Sequence, residues 1–366
     1  MIVKALEFSN YRNLSDNKIL PSERVNVIYG FNAQGKTNLL EAIWLFSGGH
    51  SFRGAKENEL IKFGENFAKL YMEFFSGERD QKAELILRNS KKEVTINSVK
   101  KSSSAYLSQH FSAVVFSPEH LTLIKNGPAL RRKFMDGSIC QQDLRYAVRL
   151  SKYNQTLQQR NALLKEISKH KELKDTLEIW DDVLIDSGAE IIKKRLEFLE
   201  SLKSHAKELH FGISSGKEEL DIEYSSSIFK EKGEYSADDI RELLRKEFKR
   251  VKREDIFSGV TNAGPHRDDL DFYINSKSAR RFGSQGQQRS IVLSLKLSEA
   301  RIMSEAFSES PVVLLDDVMS ELDVTRQEFL LKNTEKCQVF ITCCEPLENE
   351  ILKDVKLFKV EGGKIY

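Results

Sequence analysis

Cysteine is scarce in this chain of 366 residues: Cys140, Cys337, Cys343 and Cys344 are the full complement. Their spacing fits neither a disulfide framework nor a paired C-x-x-C zinc site, so reduced, buried thiols are expected. Long apolar runs are also missing. None approaches the roughly 20 residues needed to cross a bilayer, which argues against a membrane span, and no membrane is expected among the partners. Excess charge of one sign is absent as well, because 57 basic against 55 acidic side chains leave +2. That balance selects no partner. Aromatic residues make up 9% and show no stacking platform of the kind used to bind single strands. The opening Met1-Ile2-Val3-Lys4 alternates like a strand and lacks the regions of a secretory signal, so a cytosolic chain is expected.

What is present is a soluble composition, 40% hydrophobic and 31% charged, on a length that allows two or three lobes. Ile2 to Phe8 and Val25 to Tyr29 read as strands. Alternation over Leu70 to Phe75, Ala83 to Leu87 and Glu93 to Ile96 predicts an antiparallel meander. From Pro128 to Phe211 glycine and proline thin out, and Leu144, Val148, Leu157, Leu164 and Ile167 recur at helical spacing without a sustained heptad. Packed helices are expected there, with no long coiled coil. Gly212, Gly216 and Gly233 mark loops, and strand and turn signals return after Ser258.

The strongest local signal is Gly30-Phe31-Asn32-Ala33-Gln34-Gly35-Lys36-Thr37, which fits G-x-x-x-x-G-K-[ST]. It follows a short apolar run and precedes a helix pattern beginning near Asn38, the strand, loop and helix order that a phosphate-binding loop requires. Glycines let backbone N–H groups converge on phosphate, and the helix N-terminus adds a positive dipole. Lys36 is assigned to the β- and γ-phosphates of ATP, and the Thr37 hydroxyl to Mg²⁺. A structural glycine turn is the other reading.

Such a loop needs an acidic partner at the end of a neighbouring apolar strand, and Val312-Val313-Leu314-Leu315-Asp316-Asp317 supplies one. Asp316 is expected to hold Mg²⁺, directly or through water, and Asp317 to position or activate the attacking water. The plain alternative is an ordinary strand ending in an exposed aspartate pair.

Almost the whole chain separates these two motifs, which simple kinases and GTPases place close together. Just upstream of the second, Ser284-Gln285-Gly286-Gln287-Gln288-Arg289 leads into a helix pattern. A Ser-x-Gly-x-Gln stretch there resembles the signature motif of ABC-type ATPases, in which a serine hydroxyl and free helix N–H groups meet a γ-phosphate held by another subunit. A good helix cap is the other reading of the same residues. Ser320-Glu321-Leu322-Asp323 resembles the D-loop of that class. Val339-Phe340-Ile341-Thr342 occupies the place of the switch loop, where most ABC enzymes carry histidine.

Pro118-Glu119, Leu123-Ile124, Gly127-Pro128 and Arg131-Arg132-Lys133-Phe134-Met135-Asp136 look like a signature of the RecF family. Asn10-Tyr11-Arg12-Asn13-Leu14, Gly264-Pro265-His266-Arg267-Asp268-Asp269 and the stretch from Leu314 through Arg326 extend the likeness over nearly the whole chain. His120 and Asn126 depart from the pattern. The resemblance implies an α/β fold: an ABC-type P-loop ATPase head with mixed sheets plus a helical second lobe, related to SMC proteins without their coiled coil. Residues 1–117 and 258–366 would form the head and 118–257 the helical lobe. It further implies an ATP-dependent homodimer with slow hydrolysis, a duplex or gapped DNA partner, and work with RecR and RecO to load RecA. Asp317, Asp316 and Lys36 would carry catalysis. Gly30 to Asn38, Arg12, Ser284, Gly286 and Gln287 would bind nucleotide, and Thr37 and Asp316 the metal. Arg12 is assigned by analogy with SMC-type heads, with a plain surface arginine as the other reading. A P-loop phosphotransferase and a transporter ATPase subunit are the rival functions.

Arg131, Arg132 and Lys133 suit phosphate, DNA or acidic neighbours, with a solvated helix face as the equal alternative. Lys246, Lys249, Arg250, Lys252 and Arg253 form either a DNA-facing patch or, with Glu247 and Glu254 interleaved, an ordinary solvated face. His266 is read as a structural hydrogen-bonding residue.

Overall fold

A computed structural model describes residues 1–48, 50–167, 170–229, 233–346 and 354–366. Its chain order opens with β1 (Ile2–Ser9), β2 (Asn17–Ile19), β3 (Val25–Tyr29), α1 (Lys36–Trp44), β4 (Phe67–Ser76), β5 (Arg79–Arg88), β6 (Lys91–Ile96), β7 (Val99–Lys101) and β8 (Ala113–Phe116). There follow α2 (Pro118–Leu121), α3 (Pro128–Gln142), α4 (Leu144–Ile167), α5 (Leu177–Ile213), β9 (Leu220–Ser225) and α6 (Ala237–Ser258). The chain ends through β10 (Asp269–Ile274), β11 (Lys277–Ser278), α7 (Ala279–Phe282), α8 (Gln285–Phe307), β12 (Val312–Asp316), α9 (Val324–Asn333), β13 (Val339–Cys343), β14 (Val355–Glu361) and β15 (Lys364–Ile365). Met1–Thr122, His205–Glu219 and Ser284–Tyr366 make one compact unit, and Leu123–Ser204 with Leu220–Gly283 a second.

The first unit holds two six-stranded sheets, ordered β2-β1-β4-β5-β6-β7 and β15-β14-β3-β13-β12-β8. The former is antiparallel throughout, and β4 to β7 are joined by two-residue loops at Gly77-Glu78, Asn89-Ser90 and Asn97-Ser98, where both residues have positive φ. Those loops match the right-handed twist of the strands they join. In the latter, β14, β3, β13, β12 and β8 run parallel. All five residues of β12 are buried, as an unbroken apolar run requires when both faces of a sheet are covered. Alternation along the strands sorts the side chains into two cores. Ile28 and Leu314 join Leu39, Leu40 and Ile43 of α1 and the antiparallel sheet, whereas Val27, Val313 and Leu315 join Leu293 and Leu297 of α8 and Leu330 of α9. The helix that follows the glycine loop is therefore held between two sheets.

The second unit combines helices with the three-stranded sheet β11-β10-β9. Residues 258–283, read from the sequence with the C-terminal part of the head, fall in this unit because β10 pairs along its full length with β9, whereas residues 118–122 and 205–219, read with the helical lobe, fall in the first. Of α5, the part from Leu177 to Ser204 falls in this unit and the part from His205 to Ile213 in the first. Among the described residues of this unit, the buried guanidinium groups of Arg131, Arg160 and Arg195 are met by carboxylates. Arg131 forks onto Asp269 at 2.6 and 2.8 Å, Arg195 onto Asp136 at 2.9 Å, and Arg160 bonds Asp181 and Asp255 at 2.6 and 2.8 Å. Arg131 thus serves an acidic neighbour. On α6, Arg250 pairs with Glu247 and Lys252 with Glu178. His266 accepts from Tyr153 at 2.7 Å through Nδ1 and donates from Nε2 to the Thr261 carbonyl at 3.0 Å, a structural role; burial lowers its pKa to about 4 and fixes the neutral ring. Among the described residues no helix is long and apolar enough to cross a membrane.

Candidate functional site

The loop between β3 and α1 takes backbone shapes that its glycines make possible. Gly30 has φ +148, and a Cβ there would collide with the Val360 carbonyl oxygen. Gly35, at φ +118, caps α1, and a Cβ would lie 2.7 Å from Leu14. Left-handed backbone with no room for a side chain selects glycine at both positions. Ala33 shares the positive φ, at 64, and its carbonyl accepts from Asn13 at 3.3 Å. The helix begins at Lys36, two residues before the start near Asn38 expected from the sequence, because the Gly35 carbonyl already accepts from Leu39 N–H.

Each loop side chain has a defined place. Lys36 is buried, and its Nζ donates to the carbonyls of Gly30 at 2.6 Å and Phe31 at 3.0 Å. The Phe31 ring is exposed, Asn32 Oδ1 lies 3.4 Å from Cys344 Sγ, and Gln34 Oε1 accepts from Gly362 N–H at 2.5 Å. Asn38 donates to Asn13 at 2.7 Å and accepts from Arg53 at 3.0 Å.

Strand register brings the acidic motif to this loop. The order β3, β13, β12 puts β13 between the loop strand and the aspartate strand, with Asp316 opposite Thr342 and Thr342 opposite Ile28. Thr37 Oγ1 donates to Asp316 Oδ1 at 2.8 Å, and Thr342 Oγ1 donates to the same oxygen at 2.9 Å. Burial pushes the Asp316 carboxyl above its usual pKa, and the two hydroxyl bonds draw it back. Asp317 follows in the left-handed region at φ 53; its N–H donates to Thr342 Oγ1 at 2.9 Å, and its carbonyl accepts from Ser320 at 3.0 Å.

The donor set fits a magnesium ion. Thr37 spends its hydroxyl proton on Asp316 and keeps a lone pair, while Asp316 Oδ2 has no donor among the described residues. Magnesium is held by one or two protein oxygens plus substrate phosphates, and no group of three or more His, Cys, Asp or Glu suited to a metal occurs among the described residues.

Arg12 is engaged elsewhere. Its guanidinium forks onto Glu41 at 2.9 and 3.0 Å and donates to the Glu59 carbonyl at 2.9 Å. Glu41 is wholly buried and also accepts from Tyr11 at 3.1 Å and from Ser51. A hydrophilic residue inside an apolar helix face is the one sequence signal for Glu41, and its partners lie too far along the chain to be read. Arg12, Asn13, Asn38, Arg53 and Lys62 line a crevice of about 740 Å³ beside the loop.

Ser284 is the N-cap of α8. Its Oγ accepts from Gln287 N–H at 3.2 Å, and the Gln287 side chain accepts from Ser284 N–H at 2.8 Å while donating to Glu218 at 2.8 Å. Arg326 of α9 donates to the Gly286 carbonyl at 3.1 Å and to Ser290 at 3.0 Å. The structure therefore gathers Lys36, Thr37, Asp316 and Asp317, and builds the signature separately as a reciprocal cap.

Known proteins share this arrangement. The profile of the RecF/RecN/SMC N-terminal domain family matches residues 2–364. The DNA replication and repair protein RecF of Agathobacter rectalis is 41% identical over 369 residues, covering 100% of this chain and 99% of the relative. That of Ligilactobacillus salivarius is 39% identical over 370 residues, covering 100% and 97%. The solved structure of the recombination mediator protein RecF-ATP in the RecFOR pathway superposes with a TM-score of 0.92 at 41% identity, covering 100% of this chain and 97% of that one. An Smc head domain from Pyrococcus furiosus, at TM-score 0.56 and 15% identity, shares the fold. With a full-length profile match and relatives near 40% identity, this chain belongs to the RecF family.

Proposed function

We propose that the protein is an ATP-dependent DNA-binding repair mediator. It would bind ATP at Gly30 to Thr37, dimerise around the nucleotide, engage duplex or gapped DNA and act with RecR and RecO to promote RecA loading in the cytoplasm. The observation that supports this most is the Thr37–Asp316 hydrogen bond, which joins the glycine loop to the acidic strand across 279 positions. ATP binding also agrees with the solved relative in its ATP form.

Loop N–H groups and the start of α1 would bind the phosphates, and Lys36 would exchange its two carbonyl acceptors for phosphate oxygens. Thr37 and Asp316 would hold Mg²⁺, which when bound neutralises charge developing on the phosphates. Asp317, whose carboxylate has no donor among the described residues, would orient the attacking water and accept its proton. Ser284 would address the nucleotide of the second subunit. Its Oγ accepts within the cap, so the hydroxyl proton stays available to a phosphate.

The test pairs thermal melting with ATP titration of Lys36→Ala, followed by binding to gapped DNA with ATP and with ADP. The reading expects a folded variant with at least tenfold weaker ATP affinity, and DNA binding by the unaltered protein that depends on ATP. Normal ATP affinity in folded Lys36→Ala would remove the loop assignment.

A further inference from the structure

Thr342 is the residue of the switch position that the ATP site leaves without a task, and its hydroxyl is spent entirely inside the site. It donates to Asp316 Oδ1 at 2.9 Å and accepts from Asp317 N–H at 2.9 Å, so one group ties the metal-site carboxylate to the backbone of the next aspartate. The register of β12 and β13 imposes this meeting, because Asp316 and Thr342 are paired residues on adjacent parallel strands. Thr342 is 1% exposed, so both bonds are shielded from solvent. Asp317 stands at φ 53, a conformation disfavoured for a residue with a Cβ, which persists only where surroundings hold it. Thr342 holds its N–H, and Ser320 its carbonyl. The bond to Asp316 has a second consequence: with Oδ1 bonded to two hydroxyls, Oδ2 is the oxygen left for the ion or its water.

We propose that Thr342 is a positioning residue for ATP hydrolysis, acting through Asp316 and Asp317 and not on the nucleotide itself. The inference rests on the ATPase reading above. Partners that orient a metal ligand or a base commonly change activity by about 10–100-fold when removed. Neither the glycine loop nor Lys36 touches Thr342 through the bonds described, so the loss should fall on turnover and spare nucleotide affinity.

The experiment measures kcat and KM for ATP, at saturating Mg²⁺, in the unaltered full chain, Thr342→Val, Thr342→Ser and Asp317→Asn, with a melting curve for each. Valine keeps the shape and removes the hydroxyl, whereas serine keeps the hydroxyl and removes the methyl. The inference expects Thr342→Val to lose about tenfold in kcat with KM within twofold, and Thr342→Ser to recover most of the rate. Should the valine variant not fold, Thr342→Ala supplies the same loss of hydroxyl. A folded hydroxyl-free variant with unaltered kcat, a loss carried by KM alone, or a serine variant as slow as valine would each overturn it. Absence of hydrolysis in the unaltered protein would instead count against the ATPase reading, and an Asp317→Asn variant as fast as that protein would count against Asp317 as the base.

Discussion

Ser284 and Gln287 satisfy each other: the serine Oγ accepts from Gln287 N–H at 3.2 Å, and the glutamine side chain accepts from Ser284 N–H at 2.8 Å. Such a reciprocal box uses a serine lone pair and leaves its proton free for another acceptor. Both readings of the motif, helix cap and phosphate donor, are therefore compatible in one residue. Ser284→Arg should keep ATP binding through Gly30 to Thr37 but abolish ATP-dependent dimers, because a bulky cation replaces an exposed hydroxyl at the surface that would face the second subunit. Mixing it with Lys36→Ala should restore part of the ATP-dependent association, since one composite site then pairs an intact loop with an intact signature. Tight ATP-dependent dimers of Ser284→Arg alone, measured by sedimentation, would exclude action across the interface.

Asp317→Asn should bind Mg-ATP and dimerise normally while hydrolysis falls at least tenfold. The amide keeps the side-chain size but loses the base, and Asp316 with Thr37 is untouched. Single-turnover ATP hydrolysis is the measurement, and a rate equal to that of the unaltered protein would identify the wrong base.

Arg12 and Glu41 carry a stability prediction. Removing the guanidinium leaves a fully buried carboxylate with only hydroxyl donors, which for a buried pair costs about 3–5 kcal/mol. Arg12→Ala should lower the denaturation midpoint accordingly, and Arg12→Ala with Glu41→Gln should recover part of the loss because no charge is stranded. A single variant as stable as the original in chemical denaturation would show that the pair contributes little.

His266 makes the fold sensitive to acid. Its folded pKa of about 4 lies below the ordinary 6.5, so the unfolded chain binds the extra proton first as pH falls. This contribution is complete above about pH 6.5 and is lost progressively toward pH 4, amounting to up to about 3 kcal/mol. Thermal melts at intervals from pH 7.5 to 5 should therefore fall more steeply for the original protein than for His266→Gln. Parallel curves would mean that other groups dominate the slope.

Short-range signals in the sequence carry much of this arrangement. The glycine loop, the apolar strand ending in Asp316 and the Ser284 helix start each depend on residues within about ten positions, and the structure has them at β3–α1, β12 and α8. The meander is legible from alternation, though β4 and β5 run from Phe67 and Arg79, beyond the apolar residues that signal them, because two-residue turns let pairing continue to the hairpin ends. What stays illegible depends on register and distance. Nothing near Thr342 announces that it will stand opposite Asp316, and nothing near Glu41 announces Arg12, Tyr11 and Ser51. Pairing of β9 with β10 likewise draws 269–274 into the second unit, a long-range choice that the alternation of either strand leaves open.

ATP-gated association is central to the proposed function, and light scattering of the purified chain with ATP, with ADP and with no nucleotide tests it most directly. A doubling of mass with ATP alone, absent in Lys36→Ala, is the expected result. A mass that stays monomeric with ATP, or that is dimeric under all three conditions, would contradict it.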